Sequence, residues 1–319
     1  MIITVTLNPA LDKTARLERL RSNALNRLEN VIIDAGGKGL NVSSVIQALG
    51  GRSIAIGFAG GAPGDELLDR IGSRGLEYDF VRISNPTRTN LKLITGDGSL
   101  TELNEPGPEV SVAELRLFEE KLLFYAAEDS IFVLSGSLPR GLGSDTYRNF
   151  CRLLHDKNAK IFLDTDGEAF RLAMEETPNY IKPNRYELFQ YFGIDDGESM
   201  EEAELLSLCR RLLAGGPELV CLSLGEAGAL FVHAEGIFRA PVLNVKAGST
   251  VGAGDAMTGA LVWGIEHNFP QERCYALAMA AAAGAVSTEG TKAPDRILVE
   301  KLLEQVRLEK LECIRLLRL

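Results

Sequence analysis

Short runs of consecutive apolar residues alternate along most of the chain with longer segments in which apolar positions recur every three or four residues. The short runs, at residues 3–7, 53–58, 130–134, 160–164, 180–182 and 219–224, have the pattern of strands covered on both faces. Segments of helical spacing separate them, and that alternation predicts an α/β fold in three layers, a mainly parallel central sheet with helices on both faces. In residues 111–127, Leu115, Phe118 and Leu122 fall at i, i+3 and i+7, and Ser111 with Glu114 has the spacing of a capping box. Residues 297–317 predict a closing helix. Residues 274–288, rich in alanine and glycine, are shorter than the ~20 a bilayer crossing needs and predict a buried helix.

Two stretches, 15–34 and 79–105, break the alternation. In the second, Leu91-Lys92-Leu93-Ile94 and residues 100–103 flank Gly96-Asp97-Gly98, the chemistry of a hairpin turn. Together they predict a small antiparallel β lid, from about residues 12–35 and 85–105, projecting over the edge of the main sheet. Such a lid has an apolar face to bury against substrate or a second subunit. Without repeats or a Pro/Ser linker, residues 1–319 read as one α/β domain carrying that lid.

Composition removes several function classes. With 34 basic and 44 acidic residues the formal charge is −10, which argues against a nucleic-acid or anionic-membrane partner. Met1 is followed at once by apolar residues with no basic stretch before them, unlike a secretory signal, and the expected location is cytoplasmic. Cys151, Cys209, Cys221, Cys274 and Cys313 contain no C-x-x-C pair and sit in apolar surroundings, which predicts buried free thiols; the three histidines are too scattered for a metal site or triad. Gly37-Lys38 is followed by Gly39 instead of Ser or Thr, so the Walker A pattern is absent, as are G-x-G-x-x-G, G-x-S-x-G and H-E-x-x-H.

Three constellations remain. Ser249-Thr250-Val251-Gly252-Ala253-Gly254-Asp255 is a small-residue turn running into an apolar helix, where unpaired amides and the helix dipole favour an anion. Asp255 beside that anion reads as a base awaiting a substrate hydroxyl, or as a plain helix cap. Gly36-Gly37-Lys38-Gly39-Leu40-Asn41 opens a second helix; it could admit a sugar close to the backbone or form a tight strand-to-helix connection. Lys182-Pro183-Asn184-Arg185-Tyr186-Glu187 follows a short strand. Asn184 and Glu187 could hold hydrated Mg²⁺ from one helix face, or form a capping box.

These segments, with Thr4-Val5-Thr6-Leu7-Asn8-Pro9-Ala10-Leu11-Asp12, Thr87-Arg88-Thr89-Asn90-Leu91-Lys92, Ser135-Gly136-Ser137-Leu138-Pro139 and Ser223-Leu224-Gly225 with Gly228, come in the order found in the phosphofructokinase B (ribokinase-like) family of carbohydrate kinases. The chain resembles that family as far as about Thr288, and within it the branch of 1-phosphofructokinases and tagatose-6-phosphate kinases. The resemblance implies that Asp255 is the base and that the amides of Gly252, Ala253 and Gly254 hold the transferring phosphoryl group. It places ATP at Lys182, Asn184, Glu187, Ser223, Gly225 and Gly228, with Mg²⁺ reached by Glu187 through water, and is compatible with a monovalent cation. Asp12, Gly37, Lys38, Asn41, Asn90 and Ser137 become sugar-site residues, and Arg88 and Lys92 cations for a phosphate already on the substrate. The implied reaction makes a ketohexose 1,6-bisphosphate. Tagatose 6-phosphate is slightly preferred, ahead of fructose 1-phosphate and then fructose 6-phosphate; a non-catalytic sugar-phosphate sensor is the alternative of another class. A homodimer through the lid is also implied. Asp166 and Ala256 depart from the family pattern, which commonly has serine at both positions.

Overall fold

The computed structural model describes residues 1–195, 200–245, 251–288, 290 and 292–311. The chain begins with β1 (Ile2–Thr6), β2 (Ala10–Leu17), β3 (Glu29–Gly36), α1 (Lys38–Ala48), β4 (Ser53–Gly60), α2 (Gly61–Ser73), β5 (Glu77–Ile83), β6 (Arg88–Thr95) and β7 (Leu100–Leu103). Next come α3 (Val112–Tyr125), β8 (Ile131–Ser135), α4 (Thr146–His155), β9 (Lys160–Asp164), α5 (Gly167–Ala173), β10 (Tyr180–Ile181), α6 (Arg185–Phe192) and α7 (Glu202–Ala214). The last elements are β11 (Leu219–Ser223), β12 (Ala229–His233), β13 (Gly236–Ala240), α8 (Ala253–Glu266), α9 (Gln271–Val286), α10 (Arg296–Leu303) and β14 (Glu309–Leu311).

The large sheet has the order β14-β13-β12-β11-β10-β9-β8-β1-β4-β5. It is parallel from β5 to β11 and antiparallel beyond. Alternate residues of the central strands enter different cores: Ile3, Val5, Phe132, Leu134, Ile161 and Leu163 pack with Phe118, Phe150 and Leu188 on one face. Ile2, Ile131, Val133 and Phe162 pack with Val45, Ala260 and Ala278 on the other. Both faces are buried, which is why these strands are apolar at consecutive positions. Capping begins α3 as the sequence predicts, with Ser111 and Glu114 bonded reciprocally. One edge of the sheet gathers the carboxyl ends of β1, β8, β9, β10 and β11, the place where open parallel sheets take ligands.

A second, four-stranded sheet has the order β3-β2-β6-β7. Its outer pairs are antiparallel, and Leu91 opposite Leu103 sets the register of the expected hairpin. The central pair, β2 with β6, is parallel, which corrects the wholly antiparallel lid. The reason is topological: β2 follows directly from β1 and β6 from β5, and β1 and β5 run the same way in the large sheet. The break at residue 79 is also corrected, because β5 is an edge strand of the large sheet, paired with β4. Exposed apolar side chains remain on the small sheet and its loop, among them Leu25, Val31, Ile32, Leu100 and Leu103.

The closing helix is shorter than its pattern suggests. α10 ends at Leu303, Arg307 donates to the Glu304 and Val306 carbonyls, and residues 309–311 join the edge of β13 instead. The remainder of the expected helix, together with Cys313, lies outside the described residues, as do Ser249 and Thr250 of the glycine turn. Cys151, Cys209, Cys221 and Cys274 are buried free thiols. Among the described residues no helix is long and apolar enough to cross a membrane.

Phe118 is fully buried, with its ring 5.0 Å from Phe58 and 5.4 Å from Phe150. Phe118→Ala is expected to cost about 3–5 kcal/mol, read as a lower midpoint in urea denaturation.

Candidate active site

Two glycines decide where the second constellation sits. A Cβ on Gly39 would meet Thr6 Oγ1 at 2.4 Å, and one on Gly259 would meet Val45 Cβ at 2.9 Å. Their absence lets α1 press against β1 at its start and against α8 along its length. Asn41 therefore faces the first turn of α8, and its Nδ2 donates to Asp255 Oδ2 at 2.7 Å.

Gly252 caps α8 with φ 86°, in the left-handed region that glycine tolerates. The amides of Ala253, Gly254 and Asp255 begin the helix, where no preceding turn supplies acceptors. Asp255 is buried, and burial is the main reason its carboxyl is pushed up to about 6, with the negative charge of Asp164 adding to the effect. The Asn41 hydrogen bond and the charges of Lys38 and Lys182 act in the opposite sense without cancelling it.

Asp164, at the end of β9, is more deeply enclosed and more heavily partnered. Its Oδ1 lies 3.1 Å from Lys38 Nζ and its Oδ2 lies 3.2 Å from Lys182 Nζ. Thr258 Oγ1 donates to the same Oδ2 at 3.1 Å. Burial opposes the charge on Asp164, but the two ammonium groups outweigh it and hold the carboxyl below its ordinary range. Lys38 is raised above the usual lysine range by Asp164; Lys182 is raised too, burial being outweighed by the same carboxylate. A Cβ on Gly254 would stand 3.3 Å from Lys182 Nζ, so this cluster borders the glycine turn directly.

At the start of α6 the capping box is realised. Asn184 Oδ1 accepts from Glu187 N at 2.9 Å, and Glu187 Oε2 accepts from Asn184 N at 2.8 Å. Burial raises the Glu187 carboxyl against the pull of Lys182 and the Asn184 amide. Among the described residues no group of three or more His, Cys, Asp or Glu could enclose a metal. A carboxylate already held by its own helix start fits a hydrated Mg²⁺ carried by nucleotide phosphates better than direct coordination. Beside it, Ser223 forms a bridge with Asn184. Gly228, with φ 94°, passes so close to Ala240 O that a Cβ would stand 2.0 Å away, fixing the tight turn that Gly225 opens.

The small sheet brings the predicted sugar residues to the same edge. Asp12 is paired across β2 and β6 with Asn90; its Oδ1 accepts from Asn90 Nδ2 at 2.9 Å and its Oδ2 lies 3.0 Å from Lys92 Nζ. A Cβ on Gly36 would meet Asp12 Oδ2 at 2.6 Å, and Gly37 has φ 141°. Arg88 donates to Asn8 O at 2.9 Å and to Glu105 O at 3.2 Å, while its buried Nε lacks a partner among the described residues. Burial lowers the Arg88 guanidinium from its usual range. Ser137 Oγ accepts from Asn8 Nδ2 at 3.2 Å.

The structure thus joins Asn41 to Asp255, Lys38 and Lys182 to a shared Asp164, and Asp12 to Asn90 and Lys92. Ser223 bridges to Asn184, while Ser223, Gly225 and Gly228 make no direct bond to the Asp255 group among the described residues. Sequence reasoning missed Asp164, Thr258 and Asn8 as members of the site. Asp164 had a signal, an acid following the apolar Ile161-Phe162-Leu163 at the end of a strand; Thr258 had only its place one helical turn after Asp255.

Residues 5–297 match the model of the pfkB family of carbohydrate kinases. The chain is 35% identical over 310 residues to a 1-phosphofructokinase of Borreliella burgdorferi, covering 97% of this chain and 98% of that one. It is 33% identical over 274 residues to a tagatose-6-phosphate kinase of Staphylococcus epidermidis, covering 85% and 87%. The crystal structure of Escherichia coli phosphofructokinase-2 in complex with potassium superimposes with a TM-score of 0.91 at 28% identity, over 95% of this chain and 98% of that one. The ribokinase-like arrangement, the glycine turn before Asp255 and these matches together make the chain a member of the pfkB family of carbohydrate kinases, phosphotransferases that act on a sugar hydroxyl.

Proposed function

We propose that this kinase transfers the γ-phosphoryl group of MgATP to the free primary hydroxyl of a ketohexose phosphate, forming a 1,6-bisphosphate. The observation that carries the reading is Asp255, a buried carboxyl raised to about 6 at the start of an amide-lined helix. Its ionised form takes the hydroxyl proton as the oxygen attacks, while the amides of Gly252, Ala253 and Gly254 face the charge on the moving phosphoryl group. Phosphoryl transfer needs mainly positioning and charge stabilisation, and Lys38 and Lys182 supply cations on the adjacent side. Asn184, Glu187, Ser223, Gly225 and Gly228 form the nucleotide side. Mg²⁺ bound to the phosphates would neutralise their charge, with Glu187 receiving its water.

Arg88 and Lys92 favour a substrate that already carries a phosphate, and Asp12, Gly37, Asn41, Asn90 and Ser137 would hold its hydroxyls. Relatives named 1-phosphofructokinase match almost the full length, at 97–98% of the chain in the first four. They favour fructose 1-phosphate. The tagatose-6-phosphate kinase likeness, at 33% identity, supports tagatose 6-phosphate as the second reading, and each substrate presents a primary hydroxyl at the end opposite its phosphate. A sensor would have no use for a buried base. We further propose that the whole chain acts as one kinase domain with the small sheet as its lid, and that the exposed Val31, Ile32 and Leu103 of the lid pair two copies.

With MgATP, turnover is expected on fructose 1-phosphate or tagatose 6-phosphate and little on free fructose, read by coupled ADP release; activity confined to the free sugar would overturn the phosphate role of the lid. Arg88→Ala should raise KM for the sugar phosphate by about tenfold or more and leave KM for ATP unchanged. Asp255→Asn should retain ATP binding and lose about a thousandfold or more in turnover. Because the base must be ionised, kcat/KM should fall as pH drops through about 6 and be fully present above it. Light scattering should give twice the chain mass, and Ile32→Asp should shift it toward one.

A further inference from the structure

The proposed chemistry uses Asp255, the amides and the cations, but it leaves unassigned the most completely enclosed charge among the described residues. Asp164 is 1% exposed and takes no part in any capping or strand pairing through its side chain. Its three donors come from three different elements: Lys38 from the first turn of α1, Lys182 from the residue after β10, and Thr258 from the second turn of α8. Each of those elements also carries a residue of the proposed reaction. Asn41 lies one turn along α1, Lys182 borders Gly254, and Asp255 is three residues before Thr258. We propose that Asp164 is a positioning residue: its carboxylate braces α1, β10 and α8 against one another and keeps Asp255 in place beside a fixed negative charge.

The chemistry of the brace follows from its composition. A buried carboxylate without donors is costly, and three charge-assisted or hydroxyl donors satisfy it. Thr258 can approach because its hydroxyl, fully buried, projects from α8 toward β9. Removing it would leave the helix without this tie to the strand. The two lysines are held by Asp164, so their ammonium groups are placed before any phosphate arrives. This is preorganisation of the kind that electrostatic catalysis depends on.

Asp255 is faced by Lys38 and Asn41 from α1, by Asp164 from β9 and by Lys182 from β10. Asp164 is faced further by Glu187 of α6, Tyr147 of α4 and Cys221 of β11. Burial pushes the Tyr147 hydroxyl up and the Cys221 thiol up to about 12, so both stay neutral across the working range. The balance at Asp255 is therefore between one carboxylate, Asp164, and two ammonium groups. Asp164 raises the base; Lys38 lowers it. Removing either one should move Asp255 in opposite directions.

The inference rests on Asp255 as the base, and its test separates the two. The pH dependence of kcat/KM for the sugar phosphate at saturating MgATP is measured for the parent, Asp164→Asn and Lys38→Met. Asp164→Asn removes the negative neighbour and frees both ammonium groups, so the acid limb should move down by about one pH unit. Lys38→Met should move it up. The substrate phosphate titrates identically in all three and shifts neither limb. Thr258→Val should lower kcat by about tenfold with KM little changed, as expected of a lost positioning contact, and Thr258→Ser should restore it. Limbs that coincide with the parent, or that move the same way, overturn the brace; if Asp164→Asn shows no cooperative thermal transition, the loss in Thr258→Val and its return in Thr258→Ser decide, and an unchanged kcat in Thr258→Val overturns the brace. An active Asp255→Asn would overturn the base itself, whereas an inactive one beside unmoved limbs overturns only the brace.

Discussion

Charge buried at the end of a parallel sheet is the constraint around which this molecule is organised. Parallel strands end together, and at that edge the chain must turn while both faces of the sheet are already covered. The acid that ends β9 is enclosed there, bonded by Lys38, Lys182 and Thr258, and the two ammonium groups hold its carboxyl below the ordinary range against burial. These contacts join residues far apart in sequence, and they bring the glycine turn of α8, the start of α1 and the end of β10 to one place. The hydrophobic layers determine that the elements stack; the buried charge determines how their ends align.

Close backbone approach is the second ingredient. Gly39 and Gly259 remove the side chains that would hold α1 away from β1 and α8, and the Asn41 to Asp255 hydrogen bond follows from that contact. Desolvation then raises Asp255 instead of merely sheltering it. A carboxyl near 6 is ionised at neutral pH and still accepts a proton more readily than an exposed aspartate.

Much of this was legible in the sequence where the signal is local. The central strands stood out because burial on both faces makes them apolar at consecutive positions, and Ser111 with Glu114 marked a helix start that the structure reproduces. Asn184 and Glu187 share the cap spacing, and the cap is what the structure forms between them. What stayed hidden depends on distant partners. Edge strands β5 and β14 owe their pairing to β4 and β13 rather than to their own pattern. The parallel pairing of β2 with β6 follows from the direction of β1 and β5, which no short window contains. Thr258 looks like any helix residue until Asp164 is known to lie opposite.

That parallel pairing has a mechanical consequence. The small sheet is joined to the body by four short chain crossings, entering from β1 and β5 and leaving toward α1 and α3. A flap on one strap could swing or twist; four connections to the body restrict both motions. Asp12 and Arg88 ride on the two central strands of that sheet, so any movement of it toward the body carries both together with the spacing between them kept.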